Sequence, residues 1–426
     1  MSADTNVACP QARLFWLIAT ADKDLPHIKT SHELQISCVV DISRPSGLVV
    51  YKSFTDNKNY AGGSEIPGYT AETSKARTNL IESMTNYIPE LDGIRAIAVL
   101  LVVTAHMHTH FWDVASGGLG VYIFFVLSGY LITSLALKEE AETGRLSFTA
   151  FYIRRIFRIF PLYYLILAVY CVLIFGVGMS PEKRPQMSAN MPYYLTYFQE
   201  VPFFRGTLGT FGHSWSLGIE EKFYLLWPVV AFSIFRSRDK LRWWLACGLA
   251  LVAVFSGAFV APYASILAGC ALAFAFRNVQ VRSAVERAGS TGAYICFAML
   301  FLVQLLVMPH WDSNLSKFLY STVVAFNLAF VLLVRTSANR MLMARPLVFI
   351  GKVSYGIYLV HHLILNFAEK AMHQRVMLSY LLTVILSIVV AYALHIAIEK
   401  PLIRTGRSLS SKFVFPLLSR RSPASA

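Results

Sequence analysis

The stretch LDGIRAIAVLLVVTAHMHTHFW, residues 91–112, carries two ionisable side chains, Arg95 and His106, inside the first long apolar run of the chain. An arginine at the centre of a membrane span costs roughly 2.5 to 3.5 kcal/mol, so a sequence that keeps such residues there generally uses them. At about 100° per residue, eleven residues make about three turns plus 20°, which sets both side chains on one helical face and about 16.5 Å apart along the axis. On a straight helix they do not meet. The spacing suits the two ends of one elongated ligand.

Outward from this stretch the whole chain is of the same kind. Of 426 residues, 56% are hydrophobic, 14% aromatic and only 15% charged, a balance too apolar for an ordinary soluble domain. Runs near the length that crosses a bilayer recur at 94–111, 119–137, 157–178, 219–235, 242–257, 261–276, 292–308, 317–334, 347–368 and 377–398. This pattern predicts an all-α polytopic membrane protein, a bundle of about ten transmembrane helices.

The net charge of +14 does not point to nucleic acid, because the basic residues form no patch interleaved with aromatics. They alternate along the connections instead. One set is rich: Lys138, Arg145, Arg154, Arg155 and Arg158; Arg236, Arg238, Lys240 and Arg242; Arg277, Arg282 and Arg287; Arg335, Arg340, Arg345 and Lys352; and the tail from Lys400. The intervening set is poor, with no Lys or Arg in 112–118 and one in 309–317. By the positive-inside rule both termini are cytoplasmic and the protein sits in the cell inner (plasma) membrane. Trp112 and Trp311 then fall at the outer interface, Trp243 and Trp244 at the inner one.

Residues 1–86 differ. They are polar, lack helical period, and contain no run long enough to span; they read as a disordered or mis-assigned N-terminal extension, with Met84, ahead of TNYIPELDGIR, as the expected natural start. A membrane domain over 87–403 and a basic cytoplasmic tail over 404–426 complete the organisation. Cys171, Cys247, Cys270 and Cys296 stand singly within spans, with no metal or redox spacing.

Ionisable residues near the spans form four clusters. In the first, Arg95 lies at the cytoplasmic mouth and His106 deeper; the pantetheine arm of coenzyme A is of comparable length, so phosphates near Arg95 would leave a thioester near His106. The second, FYIRRIFRIFP at 151–161, places Arg155 and Arg158 three apart on one face, a fork of guanidinium groups suited to phosphate. The third is GHSWSLGIEEKFYLLWP at 212–228, where Glu220 shares a face with Ser216 and Tyr224. Glu220 and Glu221 differ by about 100° in direction, so one of them, Glu220, is expected to point into the bundle. The fourth, VSYGIYLVHH at 353–362, offers His361 and His362 to a polar cavity in the outer half. A metal site at HMHTH is disfavoured: only His106 and His110 share a face, and a third ligand such as Glu220 would have to come from elsewhere.

The ordered series LDGIRAIAVLLVVTAH, GVYIFFVLSGYLIT, FYIRRIFRIFP, GHSWSLGIEEKFYLLWP, VSYGIYLVHH and IEKPL strongly resembles the acyltransferase family 3 membrane proteins, of the kind that O-acetylate polysaccharides. The resemblance runs from about 87 to 403. It implies transfer of an acyl group, most simply acetyl, from cytoplasmic acyl-CoA to a hydroxyl of a carbohydrate or lipid-linked glycan, with no metal. It marks Arg95 and His106 as the family's Arg, ten residues, His signature and Arg155 with Arg158 as its paired arginines. Tyr122 stands where an acidic residue is frequent, and Lys222 where Gln is. No stretch after 403 is long enough for the esterase domain that some relatives carry outside the membrane.

Chemistry and resemblance together give the expected site. His106 is the general base, Glu220 orients it or engages the acceptor, and Arg95, Arg155 and Arg158 hold the nucleotide phosphates. Ser216, Glu221 and His361 meet the acceptor. Direct transfer is favoured over a covalent intermediate, since Ser128 and Ser216 have no base at readable spacing. The rival reading, a membrane transporter or lipid-linked sugar carrier, finds no inverted repeat in the chain.

Overall fold

The computed structural model describes residues 38–39 and 50–51 and, with short gaps at 108–117, 208, 237, 308–312 and 373–374, residues 87–419. Met84, His108, His110, Trp112 and Trp311 lie outside the described residues. The chain divides into two units, Met1–Thr85 and Asn86–Ala426. In the first, β1 (Cys38–Val39) pairs antiparallel with β2 (Val50–Tyr51), Cys38 opposite Tyr51.

The second unit is helical among its described residues. Its elements are α1 (Pro89–Ala105), α2 (Leu119–Thr143), α3 (Phe148–Cys171), α4 (Arg184–Leu195), α5 (Glu200–Phe204), α6 (Trp215–Val229), α7 (Asp239–Phe255) and α8 (Pro262–Ala275). Then follow α9 (Val279–Val307), α10 (Asn314–Leu333), α11 (Ser337–Leu342), α12 (Arg345–Lys352), α13 (Ser354–Ala371), α14 (Val376–Leu394) and α15 (Lys400–Ser419). Among the described residues, nine of the ten apolar runs each overlap one α-helix, and the run 347–368 covers two, α12 and α13. Five helices are long and apolar enough to cross a membrane, or six if α12 and α13, bent by 76°, count as one span. The others are shortened by breaks: α1 stops at Ala105, α8 has 14 residues, and α6 passes into a π-helical turn at Val230–Ile234 just after Pro228, which has no backbone N–H to donate.

Small residues bring the central helices together. A Cβ on Gly129 of α2 would lie 1.8 Å from the Ile266 carbonyl of α8, and one on Gly269 of α8 would lie 2.0 Å from the Val126 carbonyl. Only glycine at both places lets the two backbones touch, the packing that replaces hydrophobic burial between membrane helices. The turn from α2 to α3 is equally local in origin. Gly144 takes φ 84°, and the Ser147 side chain caps α3 by accepting the Ala150 N–H.

One basic residue of the charge count is not a headgroup anchor. Arg242 is completely buried: it makes a two-pronged bond to Glu140 at 2.7 and 2.8 Å, reaches Asp239 at 3.1 Å, donates to the Ala231 carbonyl and lies 4.5 Å from the Phe232 ring centroid. Its charge ties α2, α7 and the turn after α6 into one unit. In α9 the backbone leaves helical geometry at Gly289 (φ 57°, ψ −153°), separating the polar piece with Arg282, Glu286 and Arg287 from the apolar one. Large apolar side chains face outward, among them Phe255 at 81% exposure and Ile295, Phe297, Phe301 and Leu306 of α9, a surface suited to hydrocarbon rather than water. The boundary drawn at 403 coincides with no break, because α14 continues through a π-helical segment, His395–Glu399, into α15.

Candidate active site

The amino-terminal end of α1 is pinned from two sides. Gly351 of α12 sits so close that a Cβ there would be 1.9 Å from the Asp92 carbonyl. The Asp92 carboxylate accepts from the Tyr87 hydroxyl at 2.6 Å and from Arg95 Nη1 at 2.9 Å. So held, Arg95 comes within electrostatic reach of Arg158 on α3 and Tyr224 on α6. Arg155 stacks its guanidinium 5.3 Å from the Tyr224 ring centroid and interacts with Arg158. Arg154 turns away to Glu139 at 2.6 Å. Three guanidinium groups thus converge from two helices, an arrangement that favours a polyanion.

Two carboxylates face this group from α6. Glu220 accepts from Ser128 Oγ at 2.9 Å and from the Tyr224 hydroxyl at 3.1 Å, with Arg155 and Arg95 in electrostatic reach. The shared face with Tyr224 is as the sequence predicts. Ser216, on the same face, is turned instead to Tyr358 of α13, at 2.7 Å. The Tyr358 hydroxyl gives its hydrogen to the His213 carbonyl, so Ser216 is the donor in that pair. Glu221 departs from the expectation that only one of the two glutamates turns inward: its Oε1 is buried without a hydrogen-bond partner, within electrostatic reach of Arg155, Tyr164, Tyr197 and Tyr355. A helix crowded on several sides buries residues 100° apart, which a one-face rule overlooks.

His106 caps α1 at its carboxyl end, and its Nδ1 lies 2.8 Å from the Val102 carbonyl one turn back. A carbonyl only accepts, so Nδ1 carries the hydrogen and Nε2 is the basic nitrogen. The ring centroids of His361 and His362 lie 4.9 and 5.8 Å away. The fourth cluster therefore does join the first, across α1 and α13. Sequence reasoning quoted His213 within its third motif without singling it out, yet its ring is 5.2 Å from His361 and stacks on His362 at 5.3 Å. No spacing signal linked it to His106; only its polarity in an apolar setting did. Among the described residues, no group of three or more His, Cys, Asp or Glu side chains is placed to hold a metal ion.

A family model described as an acyltransferase domain matches residues 88–396, most of the chain and all of this constellation except Tyr87. The chain belongs to acyltransferase family 3. Among similar proteins, YrhL of Bacillus subtilis, provisionally named a peptidoglycan O-acetyltransferase, is 32% identical over 77% of this chain and 57% of its own length. The O-acetyltransferase OatA of Staphylococcus aureus is 29% identical over 75% of this chain and 58% of its own. The peptidoglycan O-acetyltransferase OatA of Listeria monocytogenes is 31% identical over 66% and 50%. The aligned part of the chain thus spans 50 to 58% of these relatives. No solved structure matches it.

The two departures from the acyltransferase family 3 pattern have local explanations. Tyr122 is buried, 4% exposed, with its ring edge-on to Phe125 at 5.6 Å. Lys222 bonds Glu200 at 2.8 Å and the Tyr197 carbonyl and lies 4.3 Å from the Phe198 ring centroid, fastening α5 to α6.

Proposed function

We propose that this chain is an integral membrane O-acyltransferase that moves an acetyl group from cytoplasmic acetyl-CoA to a hydroxyl of a cell-wall glycan, peptidoglycan being favoured by the names of its relatives. In this reading the ten apolar runs are ten spans, both termini are cytoplasmic, and Arg95, Arg155 and Arg158 bind the nucleotide phosphates. His106 removes the acceptor proton, with Glu220 as an orienting carboxylate. Ser216, Glu221 and His361 contact the acceptor. The observation that carries the reading is on α1, where one helix takes Arg95 into the guanidinium group at one end and ends in His106 at the other, its Nδ1 hydrogen directed to the Val102 carbonyl and its basic Nε2 on the side away from that bond.

Transfer from a thioester needs a base for the hydroxyl proton and donors for the developing oxyanion. A positioned base is worth about 10² to 10⁴ in rate. The test is acetylation of peptidoglycan fragments by the purified protein in lipid nanodiscs with labelled acetyl-CoA, read by mass spectrometry. Ester formation by the wild type and its loss in His106→Ala, with normal membrane accumulation, is the expected result. Undiminished acetylation by that variant overturns the assignment of His106. Absence of transfer to any glycan by the wild type overturns the enzymatic reading.

A further inference from the structure

The hydrogen bonds around the four histidines fix where each neutral ring carries its hydrogen. Nδ1 of His361 lies 2.7 Å from the Tyr358 carbonyl, and Nε2 of His213 lies 3.3 Å from the Leu359 carbonyl, so both nitrogens are N–H. Asn366 Nδ2 donates to Nδ1 of His362 at 3.2 Å, which leaves the N–H of that ring on Nε2. The remaining nitrogens of His361 and His213, Nε2 and Nδ1, are bare lone pairs, and both are buried without a hydrogen-bond partner. An unpaired buried acceptor is costly. Here two occur on rings 5.2 Å apart, and one of those rings is 4.9 Å from His106.

We propose that His361 and His213 form a proton receptor behind His106, sharing the proton that His106 takes from the acceptor hydroxyl. The proposal rests on His106 being the base. As the acceptor O–H bond breaks, its proton goes to Nε2 of His106 and the oxygen forms the new C–O bond to the acetyl carbon. The C–S bond of the thioester breaks. While the charge resides on His106, its N–H is shared with Nε2 of His361, whose ring lies 5.2 Å from that of His213; the proton then passes to the coenzyme A thiolate. No proton or electron is gained or lost overall. A charge-assisted N–H···N bond fills the Nε2 acceptor of His361 while His106 is protonated, and as the shared proton shifts onto His361 the Nδ1 acceptor of His213 becomes its second partner. His213 touches no substrate in this scheme and is a positioning residue, while His361, which contacts the acceptor in the proposed function, touches none of the reacting atoms. The other titratable groups around them are His362 and Tyr358 on α13, Tyr170 of α3 at 6.1 Å from His213, and Tyr380 of α14, bonded to Thr104 of α1.

His361→Asn keeps a donor for the Tyr358 carbonyl and removes the Nε2 lone pair; His213→Gln does the same at the other ring. Each variant should lower kcat about 10- to 100-fold, the scale of one lost bond to a charged group, with KM for acetyl-CoA unchanged in both and KM for the acceptor unchanged in His213→Gln. Without the sharing partner the protonated form of His106 is less stabilised, so the base stays neutral further into acid and the acid limb of the pH–rate profile moves to lower pH. In His213→Gln a raised acceptor KM with an unmoved profile overturns the proposal, as does normal kcat in either variant. NMR of ¹⁵N-histidine-labelled protein separates this from the parent reading. His106 and His361 titrating as one coupled pair supports proton sharing even in a protein that transfers no acetyl group; independent titration overturns it.

Discussion

Ser128 of α2 and Glu220 of α6 meet at 2.9 Å, hydroxyl to carboxylate, across 92 residues of chain. The contact sits one residue from Gly129, whose backbone touches α8. The position of the hydroxyl is therefore set by a backbone crossing rather than by a flexible side chain.

Replacing Ser128 by Ala leaves the Glu220 carboxylate with Tyr224 as its remaining hydroxyl donor. Turnover is expected to fall about 10-fold, in keeping with about 1.5 kcal/mol for a hydrogen bond to a charged group, while thermal unfolding of the purified protein changes little. Steady-state kinetics beside a melting curve check this; a large drop in melting temperature with full activity is the contrary result.

Arg242 and Glu140 bear on stability. Arg242→Met strands a buried carboxylate and should destabilise by about 3 to 5 kcal/mol, whereas Arg242→Met combined with Glu140→Leu should recover most of that loss. Denaturation in mixed micelles, run as a double-mutant cycle, measures the coupling. Equal effects of the single and double variants would contradict it.

A methyl group at Gly351 would overlap the Asp92 carbonyl, 1.9 Å away. Gly351→Ala should push α12 from α1 at a cost of about 1 to 3 kcal/mol and shift the Asp92–Arg95 pair. The expected kinetic signature is a raised KM for acetyl-CoA with a smaller change in kcat, and calorimetric titration with coenzyme A checks it directly.

The helical positions were legible because hydropathy reports burial in hydrocarbon directly, and among the described residues each apolar run overlaps one α-helix or, at 347–368, two. Pairings within one helix, Glu220 with Tyr224 and Asp92 with Arg95, follow from the 3.6-residue period. What the sequence does not carry is which helices face each other. His213 joins His361 and His362 across about 150 residues, and Arg242 meets Glu140 across 102, contacts chosen by packing and invisible to periodicity. Arg242 also reads as a loop cation in any charge count, since burial of a paired charge leaves no local mark.

The helix that runs from Val376 to Val414 has 39 residues, hence a length of about 58 Å against a hydrocarbon thickness of about 30 Å. In the proposed topology, with the C-terminus cytoplasmic, nearly half of it would stand clear of the bilayer and carry the exposed Lys400, Arg404, Arg407 and Lys412. Gly406 packs it on Phe157, the neighbour of Arg158. In that topology the projecting half would act as an electrostatic antenna beside the guanidinium group, and the capture rate of an anionic donor at that end would become a function of ionic strength.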